Sequence, residues 1–221
     1  QEEVVGAEDI NALDLCAEVS TQEVITYNPE GTEKIVIMDM GVKLNIIRNL
    51  CRRNFCVIRV PYNTTYDQIL EFEPKGVVIS NGPGDPKTCV GAIAVGKRCL
   101  DEGMPLFGIC LGNQILGLAA GGNTYKLKYG HRGSNKPVID LTTGRAYITT
   151  QNHSYVVDPD TVKDAGFEVY FINADDKSVE GLYHPEKPVF SVQFHPEGFA
   201  GPRDANFLFD KFAAMVRGGE N

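Results

Sequence analysis

The strongest constraint in this chain is a rhythm: short β-branched runs, each leading through a turn into apolar residues at helical spacing. Ile35-Val36-Ile37-Met38 leads through Gly41 to Leu44, Ile47, Leu50 and Cys51, which recur as on one helix face. Cys56 to Val60 is followed by a short helix over Tyr66 to Phe72. Gly76 to Ser80 opens into the loop Asn81-Gly82-Pro83-Gly84-Asp85-Pro86, then a helix carrying Val90, Ile93, Ala94, Lys97 and Leu100 up to Gly103. A fourth strand, Pro105 to Ile109, runs straight into Cys110 and an apolar helix ending at Gly121-Gly122. Alternation of this kind predicts an α/β fold, an open and mainly parallel sheet with helices on both faces, whose ligands sit beyond the strand C-termini. Function is therefore expected at Gly82–Gly84 and at Cys110. The second half differs. Runs at 137–141, 146–150, 168–172, 181–184 and 189–194 read as strands without helices between them, an antiparallel extension, until 205–216 closes the chain as a helix.

Composition narrows the partners. A formal charge of −8 is a poor match for phosphate backbones, so nucleic acid is not expected. Nine acids and no Lys or Arg lie in residues 1–33, which read as an acidic arm or linker holding a short amphipathic stretch, Ile10 to Val19, and the turn Asn28-Pro29-Glu30-Gly31. The domain proper is expected over 34–221. No apolar run reaches the roughly 18–20 residues of a membrane span, and no basic-then-apolar leader opens the chain. The six cysteines contain no C-x-x-C pair, so reduced thiols in a cytoplasmic protein are expected rather than a disulfide framework.

Gly108-Ile109-Cys110-Leu111-Gly112 is a G-x-C-x-G sequence between a predicted strand and a predicted helix, the thiol form of a nucleophile elbow. The flanking glycines leave room for the strained turn, and a helix N-terminus favours the thiolate. Most cysteines are small buried hydrophobes, and the other five are read that way, Cys89 included although it lies near the glycine loop. A thiol nucleophile needs a base and an orienting group. Two identical tripeptides offer them: His184-Pro185-Glu186 and His195-Pro196-Glu197, in each of which an extended chain puts both side chains on one face. They stand at opposite ends of one predicted strand, roughly 20 Å apart at 3.4 Å per residue. We favour His195 and Glu197, because His184 is expected on an exposed turn with little to orient it. The oxyanion donors are expected from the N–H of Leu111 and from Gly82 and Gly84. Gln114 and the polar run Gln151-Asn152-His153-Ser154-Tyr155 are weaker candidates for a polar substrate, since such residues are more often solvated or capping.

With Cys110 in Gly-Ile-Cys-Leu-Gly and His195-Pro-Glu197 eighty-five residues later, the chain resembles the class I (triad) glutamine amidotransferases over roughly residues 35–217. Ser80 to Pro86, Asp39 to Arg48, Gln151-Asn152-His153 and Gly201-Pro202-Arg203-Asp204 are similar to the carbamoyl-phosphate synthetase branch of that family. The resemblance implies a flavodoxin-like α/β fold and hydrolysis of L-glutamine through a Cys110 thioester, with His195 as proton shuttle and Glu197 as its orienting group. It also implies an oxyanion hole at Gly82 and Leu111, and glutamine binding by Gly84, Gln114, Asn152, Ser154 and Tyr155. No metal or cofactor is implied in this chain; ammonia would pass to a large synthetase subunit that uses ATP, Mg and bicarbonate. Asn113 stands where many relatives carry His, and Ser154-Tyr155 where Gly-Phe is common. The family's small subunit has an additional N-terminal domain, which this sequence lacks, and residues 1–33 are expected to connect to it. Two other readings are a glutaminase of another synthetase or a γ-glutamyl cysteine hydrolase, and a docking module whose triad is silent.

Overall fold

The computed structural model describes residues 13–219. One ten-stranded sheet runs through the molecule in the order β1-β3-β2-β4-β5-β10-β9-β8-β6-β7. Its parallel half consists of β2 (Glu33–Asp39), β3 (Phe55–Pro61), β4 (Gly76–Ile79), β5 (Leu106–Ile109) and β10 (Val189–Val192). The crossovers are α2 (Leu44–Arg52), α3 (Tyr66–Leu70) and α4 (Val90–Glu102). These strands are largely apolar because both faces are covered. On β2, Val36 and Met38 join one core with Ile69, Val95 and Ile115, while Ile35 and Ile37 join the other with Ile46, Leu50 and Phe212, the period-two alternation of a strand. The second core is completed by α6 (Phe207–Val216), and α5 (Leu111–Ala119) lies in the first. Gly103 ends α4 in the left-handed region at φ +66°, a conformation in which a side chain would be strained.

The antiparallel half holds β6 (Thr124–Asp140), β7 (Ala146–Val157), β8 (Glu168–Asn173) and β9 (Val179–Tyr183), continuing from β10. Here β6 and β7 are far longer than expected, and the polar run Gln151 to Tyr155 continues the strand expected over 146–150. Their pattern hid them: β6 is largely exposed and broken by register shifts between Lys126 and His131 and between Gly133 and Lys136, so it lacks the apolar alternation by which strands are recognised.

Residues 13–32, expected as a connecting arm, are folded onto the domain. Strand β1 (Ile25–Tyr27) pairs antiparallel with β3, and α1 (Leu15–Val19) buries Cys16. The Thr21 N–H donates to Asp39 at 2.6 Å and the Tyr62 N–H to the Ser20 hydroxyl at 2.9 Å. Residues 1–12 and 220–221, which hold the first part of the acidic arm and of the amphipathic stretch from Ile10, lie outside the described residues. Among the described residues all six cysteines are free, and no helix is long and apolar enough to cross a membrane.

Candidate functional site

Strands β2, β4, β5 and β10 end on one edge, and the segments that leave them build the site. Cys110 connects β5 to α5 with φ +56° and ψ −99°, a region that a residue with a side chain occupies only under strain. Close approach makes its glycines obligatory. A Cβ on Gly112 would stand 2.1 Å from the Ile79 carbonyl oxygen, and one on Gly108 2.5 Å from that of Gly112. The first N–H groups of α5, beginning with that of Leu111, have no acceptor within their own helix. The Gly82 loop closes over them: a Cβ on Gly82 would meet the Met40 carbonyl oxygen at 2.1 Å and the Leu111 side chain at 2.8 Å.

His195 is carried to Cys110 by the segment after β10, and its backbone N–H donates to the Thr150 carbonyl at 2.9 Å. Its Nδ1 lies 2.8 Å from Glu197 Oε1. Burial pushes the imidazole pKa down, but the charge of Cys110, a hydrogen bond with it, and the Glu197 carboxylate outweigh burial and raise it to about 10. Glu197 is 1% exposed. Burial pushes its carboxyl up, and the hydrogen bond and charge of His195 together with Lys43 bring the balance below the ordinary carboxylate range. Lys43, to which the sequence alone assigns no role, places its ammonium 2.7 Å from the same Glu197 oxygen. Its signal was its place in the stretch Asp39 to Arg48; the contact joins segments at opposite ends of the chain and has no local trace. Asn45, at the start of α2, donates to the Glu197 carbonyl at 2.6 Å.

A cavity of about 230 Å³ opens beside Cys110 and is lined by Gly82, Gly84, Gln114, Asn152, Ser154 and Tyr155, together with Leu15 of α1 and the cations Lys126 and Arg132. A second cavity carries Lys43 and His195, and shares Cys110, Gly82 and Asn152 with the first. The substrate-site residues expected from the sequence therefore line the first cavity, except Leu111, which is buried directly after Cys110. Gln193 was missed. It is wholly buried, its amide nitrogen lies 3.8 Å from the Cys110 sulfur, and its amide oxygen accepts from both Asn113 and Gln114 at 3.1 Å. Asn113 in turn accepts from the Ser191 hydroxyl at 2.9 Å, and Gln114 donates to the Tyr155 carbonyl at 3.0 Å. Asn113 thus serves a buried amide network. Arg132, also missed, donates to the Ser154 hydroxyl at 2.6 Å.

The other tripeptide lies far from this edge, and its surroundings correct the expectation. His184 is 8% exposed, not on an open turn. Its Nδ1 accepts the backbone N–H groups of Glu186 and Lys187 at 3.1 and 3.2 Å, and its ring meets Phe167 edge-on at 5.2 Å. A side chain that closes its own turn is oriented, but its nitrogen is occupied by backbone and Glu186 is left exposed.

The family model described as glutamine amidotransferase class-I matches residues 36–215. Curated relatives include a protein named carbamoyl phosphate synthase small chain from Methanocaldococcus jannaschii, 52% identical over 97% of this chain and 60% of its own length. Another of the same name, from Methanopyrus kandleri, is 48% identical over 94% of this chain and 57% of its own length. The chain thus spans less than two thirds of these relatives. Among solved structures, a protein from Thermoplasma acidophilum described as a GMP synthase component superposes with a TM-score of 0.71 over 84% of this chain and 94% of its own, at 24% identity. That likeness speaks for the fold alone.

Proposed function

The chain belongs to the class I glutamine amidotransferase family, and on that premise we propose that it hydrolyses L-glutamine at Cys110 and supplies the ammonia to a carbamoyl-phosphate synthetase. The observation that carries this reading is the meeting of Cys110, on a strained elbow, with His195 and Glu197 at the mouth of a polar cavity. In this mechanism the Cys110 sulfur attacks the side-chain carbonyl carbon of glutamine. The N–H groups of Leu111 and Gly82 bear the charge that develops on the oxygen. His195, held as imidazolium by Cys110 and Glu197, gives its proton to the departing nitrogen, and ammonia leaves. His195, now neutral, takes a proton from water as that water attacks the γ-glutamyl thioester, and glutamate leaves with the thiolate restored. Glu197 holds the ring with Nδ1–H toward itself, so that Nε2 serves the reaction.

Gly84, Gln114, Asn152, Ser154 and Tyr155 would hold the substrate, and Arg132 and Lys126 supply positive charge for its α-carboxylate. Relatives named as small chains, at 48% and 52% identity, support a partner of the large synthetase type. The test is release of glutamate and ammonia from glutamine by the protein alone and with a carbamoyl-phosphate synthetase large subunit. Release that disappears in Cys110→Ser, together with stimulation by the partner, is the expected outcome. Release that ignores the partner would favour a free γ-glutamyl hydrolase, and none under either condition would leave a docking module.

A further inference from the structure

At the wall of the cavity, which His153 helps to line, His131 of β6 stands opposite His153 of β7 in register, their rings edge-to-face with centroids 4.9 Å apart. Glu180 of β9, wholly buried, lies against both. Each imidazole has one nitrogen committed to an acceptor. His131 Nε2 is 2.8 Å from the Asp176 carboxylate, and His153 Nδ1 is 3.1 Å from the Tyr155 carbonyl oxygen. These acceptors favour the tautomers with the ring proton on those nitrogens, which leaves the other nitrogen of each ring as a lone pair for a ligand. Both lone pairs approach one carboxylate oxygen, Glu180 Oε1, at 3.0 Å from His131 Nδ1 and 3.4 Å from His153 Nε2.

Three acceptors thus face one another in the interior with too few donors. The Asn173 amide nitrogen stands 3.3 Å from both His131 Nδ1 and Glu180 Oε1, and is shared with Gln151 at 3.4 Å. Its orientation is set by Asn173 Oδ1, which accepts the Asp175 N–H at 2.9 Å. His153 Nε2 and Glu180 Oε2 find no hydrogen-bond partner. The hydrogen bond to Glu180, with that to Asp176, outweighs burial and raises the His131 pKa, so a proton competes with a metal ion at His131 Nδ1, but it leaves His153 Nε2 and Glu180 Oε2 without a partner.

We propose that His131, His153 and Glu180 form a binding site for one divalent transition-metal ion of the Zn²⁺ type, distinct from the Cys110 site. One ligand atom from each residue lies within 4.8 Å of the others. The 3.0 and 3.4 Å separations are close to the roughly 3.3–3.4 Å between neighbouring ligands of a tetrahedral zinc with bonds of about 2.0–2.1 Å. Two imidazoles and a carboxylate are a ligand set this class of ion accepts. The Asp176–His131 and Tyr155–His153 pairs are the outer hydrogen bonds that fix tautomer and ring orientation in such sites. A bound ion would tie β6, β7 and β9 together directly behind Asn152, Ser154 and Tyr155. It would therefore act on the shape of the cavity rather than on the reacting atoms, and the proposal stands whether or not the cavity binds glutamine.

The test is to strip the purified protein with a chelator and titrate it with Co²⁺ and then Zn²⁺. One retained equivalent per chain after desalting is expected, with visible Co²⁺ absorption of a nitrogen and oxygen environment and a rise in melting temperature. Glu180→Gln and His153→Gln should each weaken binding at least tenfold while the far-ultraviolet circular dichroism is preserved. If either variant fails to fold, the stoichiometry and the Co²⁺ spectrum of the unaltered protein decide alone. An intense near-ultraviolet thiolate band would place the metal on a cysteine, the Cys16–Cys89 pair with sulfurs 3.7 Å apart being the nearest alternative, and would overturn the proposal. So would a folded, metal-stripped protein that retains no equivalent of either ion.

Discussion

His184-Pro185-Glu186 and His195-Pro196-Glu197 are the same three residues eleven positions apart, and the fold makes different things of them. At the first, imidazole accepts two backbone N–H groups and closes a turn while the carboxylate points to solvent. At the second, imidazole and carboxylate meet at 2.8 Å, and both are buried beside Cys110. Lys43 and Asn45, at the N-terminus of α2, pin the second tripeptide through Glu197. A tripeptide therefore supplies the parts of a base and its orienter, but only neighbours from distant strands commit them to that use.

Substitution at the histidines should break the symmetry most. His195→Ala is expected to lower glutaminase kcat by about 10³-fold or more, as for removal of a triad base, while His184→Ala stays within about twofold. Steady-state ammonia release checks both, and equal losses would refute the distinction. His184→Ala should instead cost about 1 kcal/mol of stability, because two N–H groups lose their shared acceptor; denaturant midpoints read this.

The carboxylates should separate next. Glu197→Gln is expected to reduce kcat about 10²-fold or more by releasing the ring tautomer, whereas Glu186→Gln should leave rate unchanged and stability within about 0.5 kcal/mol. Lys43→Met sharpens the comparison further, since it removes a neighbour that the first tripeptide lacks. Its expected cost is about 1–2 kcal/mol, less than for a fully buried pair because Lys43 is 35% exposed. Thermal unfolding of the variant against Glu186→Gln gives the measurement.

Stability against pH offers the mildest contrast. The folded pKa of His195, about 10, lies above its ordinary value of 6.5. Its contribution is thus complete below about pH 6.5, declines as pH rises, and is gone above about 10. Glu197 has the opposite sign: its pKa is lowered, so its contribution is present above the ordinary carboxylate range and is lost as pH falls through the folded value. Denaturant midpoints from about pH 6 to about 10.5 should decline more steeply in the unaltered protein than in His195→Gln, and His184→Gln should follow the unaltered protein.

Much of this was legible in the chain because it is local. The β-branched runs, the glycines around Cys110 and the spacing of β2 to α5 report contacts a few residues apart, or burial on both faces, and these specified β2 to β5 and the elbow; β10, read as part of the antiparallel extension, pairs antiparallel with β9 but parallel with β5. Periodicity failed where its cause fails. Strands β6 and β7 form a half-exposed ribbon broken by register shifts, so no alternation marks them, and the polar run at Gln151 conceals a strand whose side chains divide between cavity and interior.

By itself, then, the sequence determined strands β2 to β5, the elbow that carries Cys110 and the two His-Pro-Glu tripeptides as candidates, since each rests on a pattern a few residues long. Only the tertiary structure brings His195, the histidine favoured from the sequence, to Cys110, sets Lys43 and Gln193 beside them, and makes His131, His153 and Glu180 meet. Those contacts join residues far apart along the chain, and burial, which turns a weak surface attraction into a strong and specific one, exists only once the sheet has closed around them.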